Sequence, residues 1–229
     1  MRITPKSALL AGLLASVAAC GGSKSNEQAA SSHPIDNATM SSGTMENATM
    51  DNAAMASDNT SATAPNPFSD SMAKMNQAMM SAVGSSAGDN WLRKMVAHHQ
   101  GAIDMSKVVL NQNPTPEVSE MARMTIDKQG KQIDELKKLE ANGSPDQKSA
   151  DLYKPAMMHM QSDMMAASGS TVSETYMRKM LAHHMGAVAM SDIALKNDVS
   201  GAVKAEVQKT HDDQKQEADK LRAMIEKPS

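Results

Sequence analysis

The chain has 229 residues, 40% of them apolar and 21% charged, with a formal charge of -3. That suits one domain with tails, and it offers neither the basic excess that nucleic acid requires nor a run of Lys and Arg for an anionic membrane surface. Methionine occurs 23 times against one Phe, one Trp and two Tyr, so flexible thioethers supply apolar volume that rings usually provide.

Arg2 and Lys6 open the chain, residues 8–18 are small and apolar, and Val17-Ala18-Ala19-Cys20 precedes Gly21-Gly22-Ser23. This is the pattern of a secretory signal, too short to span a bilayer. Its last four residues resemble the bacterial lipoprotein processing box, which implies lipidation of Cys20 as the first mature residue. The resemblance further implies a periplasm-facing protein of the bacterial envelope, held to the membrane through its lipid anchor only, with the outer membrane favoured. A lipidated Cys20 leaves no thiol, so a soft metal ion would have to be bound by Met or His.

Residues 21–68 are rich in Ser, Asn, Ala, Asp and Thr and are interrupted by Pro34, Pro65 and Pro67, the composition of a disordered tether. Within it Met40, Met45, Met50 and Met55 recur every five residues. A five-residue step drifts around a helix and alternates faces on a strand, so packing gives no reason for it. Thioethers on a tether suit weak copper capture and transfer to an ordered site; expansion of a simple repeat is the competing origin.

The remainder, 69–229, reads as helix throughout. A short Met-rich helix is predicted near 69–82. A long one follows from about 91, with Leu92, Met95, Val96, Ala102, Ile103, Val109 and Leu110 at three- and four-residue spacing until Asn113-Pro114-Thr115-Pro116 stops it. The next starts near Glu117 and ends at Asn142-Gly143-Ser144-Pro145. A second Met-rich helix near 155–166 and two long ones near 175–197 and 202–226 repeat the series. The repetition is literal. "WLRKMVAHHQGAIDMSKVVL" from Trp91 aligns without gaps with "YMRKMLAHHMGAVAMSDIAL" from Tyr176, identical at eleven of twenty positions. The repeats run over about 69–143 and 154–228. A single hairpin cannot bury its apolar face, and two can, so the expected fold is all-α: an antiparallel four-helix bundle made of two duplicated hairpins with Met-rich pre-helices. In up-down-up-down order the two His-bearing helices would be parallel and diagonal.

At about 100° per residue, Met95, His98, His99, Ala102, Met105 and Ser106 fall within a stripe of about 120° that overlaps the apolar face, as do Met180, His183, His184, Ala187, Met190 and Ser191. Counted from the turns, Gln129 and Gln214 lie at the height of the His pairs, with His211 about one turn from its own pair. One slice of the bundle is therefore expected to hold four His and two Gln between layers of Met. A polar layer that only fixes helix register is one reading; a site for Cu(I), or its mimic Ag(I), is the other, because imidazole and thioether are the donors a soft ion takes. His159, in the second Met-rich helix, is a further candidate donor.

The repeated His-His-x-Gly-Ala-(Ile/Val)-x-Met-Ser stretches resemble the domain-of-unknown-function family numbered 305 (DUF305), over about 70–226. The resemblance implies a ferritin-like four-helix bundle, export, and in some members copper binding and tolerance. The matched positions are Met95, His98, His99 and Met105 with Met180, His183, His184 and Met190; Ala97 and Ala182 stand where other members often have a bulky residue or proline. The resulting expectation is copper binding without turnover, for buffering, chaperoning or resistance, with a copper-transfer protein as a possible partner. Two alternatives stand beside it. One is a metal-free structural or interaction module. The other is a ferritin-like di-iron oxidase, which would need Glu-x-x-His motifs; the sequence contains none.

Overall fold

A computed structural model describes residues 66–227. It contains α1 (Ser69–Ser81), α2 (Ala87–Leu110), α3 (Pro116–Leu139), α4 (Gln147–Asp151), α5 (Lys154–Ala166), α6 (Val172–Leu195) and α7 (Gly201–Ile225), and no strand among the described residues. The all-α bundle expected from the periodicity is what forms. The Cys20 signal and the tether methionines lie outside the described residues. None of the helices described is long and apolar enough to cross a membrane.

The long helices begin earlier than their apolar pattern. Ser86 Oγ accepts from the Asp89 backbone N–H, and Thr171 Oγ1 accepts from that of Glu174. A polar cap precedes the first core residue by several positions, so periodicity alone places the start late. α3 starts on a Thr115 cap with Pro116 in its first turn. Asn113 and Asp198, equivalent in the two repeats, take positive φ (50° and 47°) in the turns after α2 and α6, a backbone state that Asn and Asp tolerate best after Gly. α4 has no apolar repeat to announce it. Phe68, placed by composition at the end of the tether, is buried with its ring 6.0 Å from that of Tyr176.

The hairpins do not dock as an up-down-up-down bundle. α2 and α6 touch directly and run antiparallel: Trp91, near the start of α2, donates from Nε1 to Ser191 Oγ near the end of α6 (3.2 Å). Ser106 and Tyr176 share the mirror-image hydrogen bond at 2.7 Å. The cause is the connection between the hairpins. The Ala141 N–H donates to Asp89 Oδ1 (2.9 Å), which fixes the end of α3 beside the start of α2. The Thr115 N–H donates to Ser173 Oγ (3.0 Å), which fixes the start of α6 beside the end of α2. The segment carrying α4 and α5 therefore travels the length of α2, and the second hairpin enters from the opposite end.

α1 and α5 are attached by the same device twice. Lys94, 2% exposed, donates to the carbonyls of Met79 (3.0 Å) and Ala82 (2.8 Å). Lys179, 1% exposed, donates to those of Met164 (2.7 Å) and Ala167 (2.8 Å). Each ammonium satisfies carbonyls that a helix end leaves open, and its charge opposes the negative end of the helix dipole. Burial lowers the pKa of both groups. At Gly101 and Gly186, the glycines of the repeated motif, a Cβ would overlap the side chains of Met75 and Met160. Glycine is there so that α1 and α5 can approach closely. Gly101→Ala is expected to destabilise the protein by about 1–3 kcal/mol through overpacking, read as a lower urea midpoint; an unchanged midpoint would show that Met75 has room to move.

Candidate metal-binding core

Where α2 crosses α6, the stripes identified in the sequence meet. His98 and His183 stack with ring centroids 3.5 Å apart. Each donates its Nε2–H to the other's backbone carbonyl, both at 3.0 Å. His99 and His184 lie beside them, with centroids 5.8 Å and 5.6 Å from His98 and His183. All four are buried, and only His184 retains any exposure, at 4%. The expected four-His slice exists, though an antiparallel crossing builds it and not a diagonal parallel pair.

Burial depresses the pKa of all four imidazoles, and the neighbouring rings lower those of His98, His99 and His183 further. The rings are therefore neutral at neutral pH, each with one nitrogen carrying a lone pair. For three of them the tautomer follows from the hydrogen bonds. His98 and His183 spend Nε2–H on a carbonyl, and His184 donates Nδ1–H to Gln214 Oε1. The remaining nitrogens of His98 and His183, both nitrogens of His99, and both ends of the Gln129 amide are buried without a partner in the protein. Buried polar atoms are nearly always paired, so a cluster of orphans at one level calls for a water or an ion.

The donors present decide which ion fits. Among the described residues, no three His, Cys, Asp or Glu side chains lie close enough to hold a metal ion by themselves. A set of three or more imidazoles and carboxylates is not formed there, and a larger set would need other donors, of which the buried thioethers are at hand. Met95, Met105, Met180 and Met190 are all buried. Met180 lines one cavity of about 420 Å³ with His184, Gln129 and Glu217. Imidazole and thioether are donors that soft ions take in general.

Two candidates are not brought to the core. His159 projects into solvent beside Asp163, because α5 buries its Met157, Met160 and Met164 face instead. His211 sits between the carboxylates of Asp212 (2.8 Å) and Asp192 (3.4 Å) on the surface side of α7, one step around the helix from buried Thr210. Sequence reasoning also passed over Met121, Met124 and Met224, which line the cavity with Glu217, a carboxylate that the sequence places near the level of the His pairs. The signal was available, since Met121, Thr125 and Gln129 follow at four-residue steps, and Gln214, Glu217, Leu221 and Met224 at steps of three, four and three.

The profile of one family, described as Domain of unknown function (DUF305), matches residues 16–140 and again 90–225. Comparison with curated proteins and with solved structures returns no match.

Proposed function

The chain belongs to the DUF305 family, whose description names no activity, and on that premise we propose from the site itself that the protein binds monovalent copper through His and Met, to buffer, chaperone or detoxify it. The observation that carries this reading is the set of buried imidazole nitrogens without protein partners at the α2–α6 crossing. His98 and His183 each give their other ring N–H to a backbone carbonyl, which is how metal-binding histidines are commonly oriented. Their neutrality removes the proton that would compete with the ion. When bound, copper would draw on these imidazoles and on buried thioethers such as Met180; the chain's part is to hold the donors dry and uncharged. An exported, Cys20-lipidated protein with its methionine-bearing tether in an oxidising compartment is consistent with this chemistry, since thioethers keep their affinity where a thiol would be oxidised. A transfer partner for the bound copper belongs to the same proposal.

One observation favours a purely structural polar layer: the reciprocal His98–His183 stack already gives each ring a hydrogen bond. The test is an anaerobic competition titration with Cu(I) against a chromophoric chelator. The full chain would be compared with a variant in which His98, His99, His183 and His184 are replaced by Ala, its helix content checked by circular dichroism. Tight binding lost in the variant is expected. Absence of binding by the unmodified chain would leave the structural layer, and binding retained in full by the variant would move the site to methionines elsewhere.

A further inference from the structure

The duplicated halves treat the two outer histidines differently. His99 and His184 are equivalent, as are Met95 and Met180, yet the residues that cover them have diverged. Over His99 the second repeat supplies Glu206 and Lys209, and Lys209 Nζ reaches Glu135 at 3.0 Å and Glu206 at 3.5 Å. His99 is fully buried. Over His184 the first repeat supplies Met121 and Met124 at those two positions, and Met224 stands where the other half has Leu139. Here the structure opens into the cavity of about 420 Å³, with the two methionine-bearing helices α3 and α7 forming its walls.

We propose that Met121, Met124 and Met224, with Met180 and His184 beneath them, form an entry site through which a soft monovalent cation reaches the buried core. This rests on the copper reading above and names the route, which the four-His slice does not show. The face of His184 toward the opening is its free one. Nδ1 is committed to Gln214, while Nε2 lies 3.7 Å from Glu217 Oε2 in the cavity wall. Gln129, 1% exposed, lines the same cavity with both ends of its amide unpaired, so a polar group is already aimed at whatever enters. Met124 is 63% exposed, a placement that contributes little to a core and suits a donor met first by an incoming ion. The thioethers are neutral and flexible, so they can strip a cation from water without charging the buried site; Glu217, paired with Lys128 at 2.6 Å, marks the mouth with a carboxylate. On the mirror face Lys209, held by Glu135 and Glu206, puts a cationic group where the other half has the Met124 thioether; the cavity of about 410 Å³ beside it is lined by Gln132, Glu135, Lys209 and Asp213 and by neither His99 nor Met95.

The experiment titrates Ag(I) into the full chain labelled with ¹³C at methionine methyl groups and, separately, times the transfer of Cu(I) from a chromophoric chelator. The comparison is with the variant Met121→Leu, Met124→Leu, Met224→Leu, which keeps volume and apolarity while removing sulfur. The Met121, Met124 and Met224 methyl resonances are expected to move at substoichiometric silver, and uptake by the variant to slow on the order of tenfold. If the unmodified chain takes up metal while these three resonances stay fixed and the variant loads at the same rate, the entry site is wrong and the core reading stands. If the unmodified chain takes up no metal, both fall.

Discussion

Trp91→Ala lowers the stability of the apo-protein by about 3–5 kcal/mol, the range for deleting a buried large aromatic side chain, and the urea midpoint falls accordingly. Trp91 is the one tryptophan, is fully buried, and sits where the start of α2 meets the end of α6. Truncation removes its ring from a core that is otherwise methionine-rich and leaves Ser191 Oγ without its donor. Methionine is adaptable and will fill part of the void, which argues for the lower half of the range. Trp91→Phe separates packing from hydrogen bonding: it keeps most of the ring and gives up the Ser191 contact, at about 1 kcal/mol. Tyr176 holds the equivalent position at the other end of the crossing, through Ser106, so Tyr176→Ala is expected to follow Trp91→Ala in size. Near-neutral results for both alanine variants would mean that the crossing is held by the histidine stack and not by its aromatic ends.

Mild acid is expected to be the second large effect. The four core histidines have pKa values lowered from the ordinary value near 6.5 by burial and, for three, by one another. In the unfolded chain they take up protons as the pH falls through that value; in the folded chain they do not. The unfolded state then binds more protons, so stability falls as pH falls, beginning near the unfolded value and continuing down to the depressed folded values. Between about pH 7.5 and about pH 5.5 each ring that stays unprotonated in the fold contributes a loss on the order of 1 kcal/mol, so His98, His99 and His183, held well below the ordinary value, together remove a few kcal/mol, with a smaller share from His184. That is a large fraction of the stability of an ordinary domain. Asp89 adds to the loss at still lower pH. Burial raises its carboxyl, but the N–H groups of Ser85 and Ala141 and the Arg93 guanidinium outweigh this and hold it below the ordinary value, so its contribution disappears as it is protonated. Urea titrations across this range would measure the slope, and His99→Leu, which removes a ring with no hydrogen bond to lose, should flatten it by one group's share. Superimposable curves at the two pH values would show that the imidazoles are not buried neutral.

The helices were legible because each long one carries a continuous three- and four-residue apolar repeat, and because the duplication prints the pattern twice. The buried histidines were legible for the same reason: His98, His99, His183 and His184 lie inside those stripes, flanked by Met95, Met105, Met180 and Met190. Lys94 and Lys179 were not, although they repeat at equivalent positions. A charged side chain reads as a surface residue until a helix end is seen to need its ammonium. Nor could periodicity show that His159 faces solvent or that His211 belongs to surface carboxylates, since both depend on which face of a helix finds a neighbour.

Periodicity is a property of one helix at a time, so the amino-acid sequence by itself determined the all-α class, the repeat and the faces that are buried. It is silent on how two hairpins meet. The antiparallel crossing of α2 and α6 was decided by the tertiary structure, where α4 and α5 carry the chain along the length of α2 before the second hairpin begins. That crossing stacks His98 on His183, buries His99 fully, and leaves His184 beneath the methionines of α3 and α7. Which donors can share one ion depends on distances between helices, and those distances are set only when the hairpins pack.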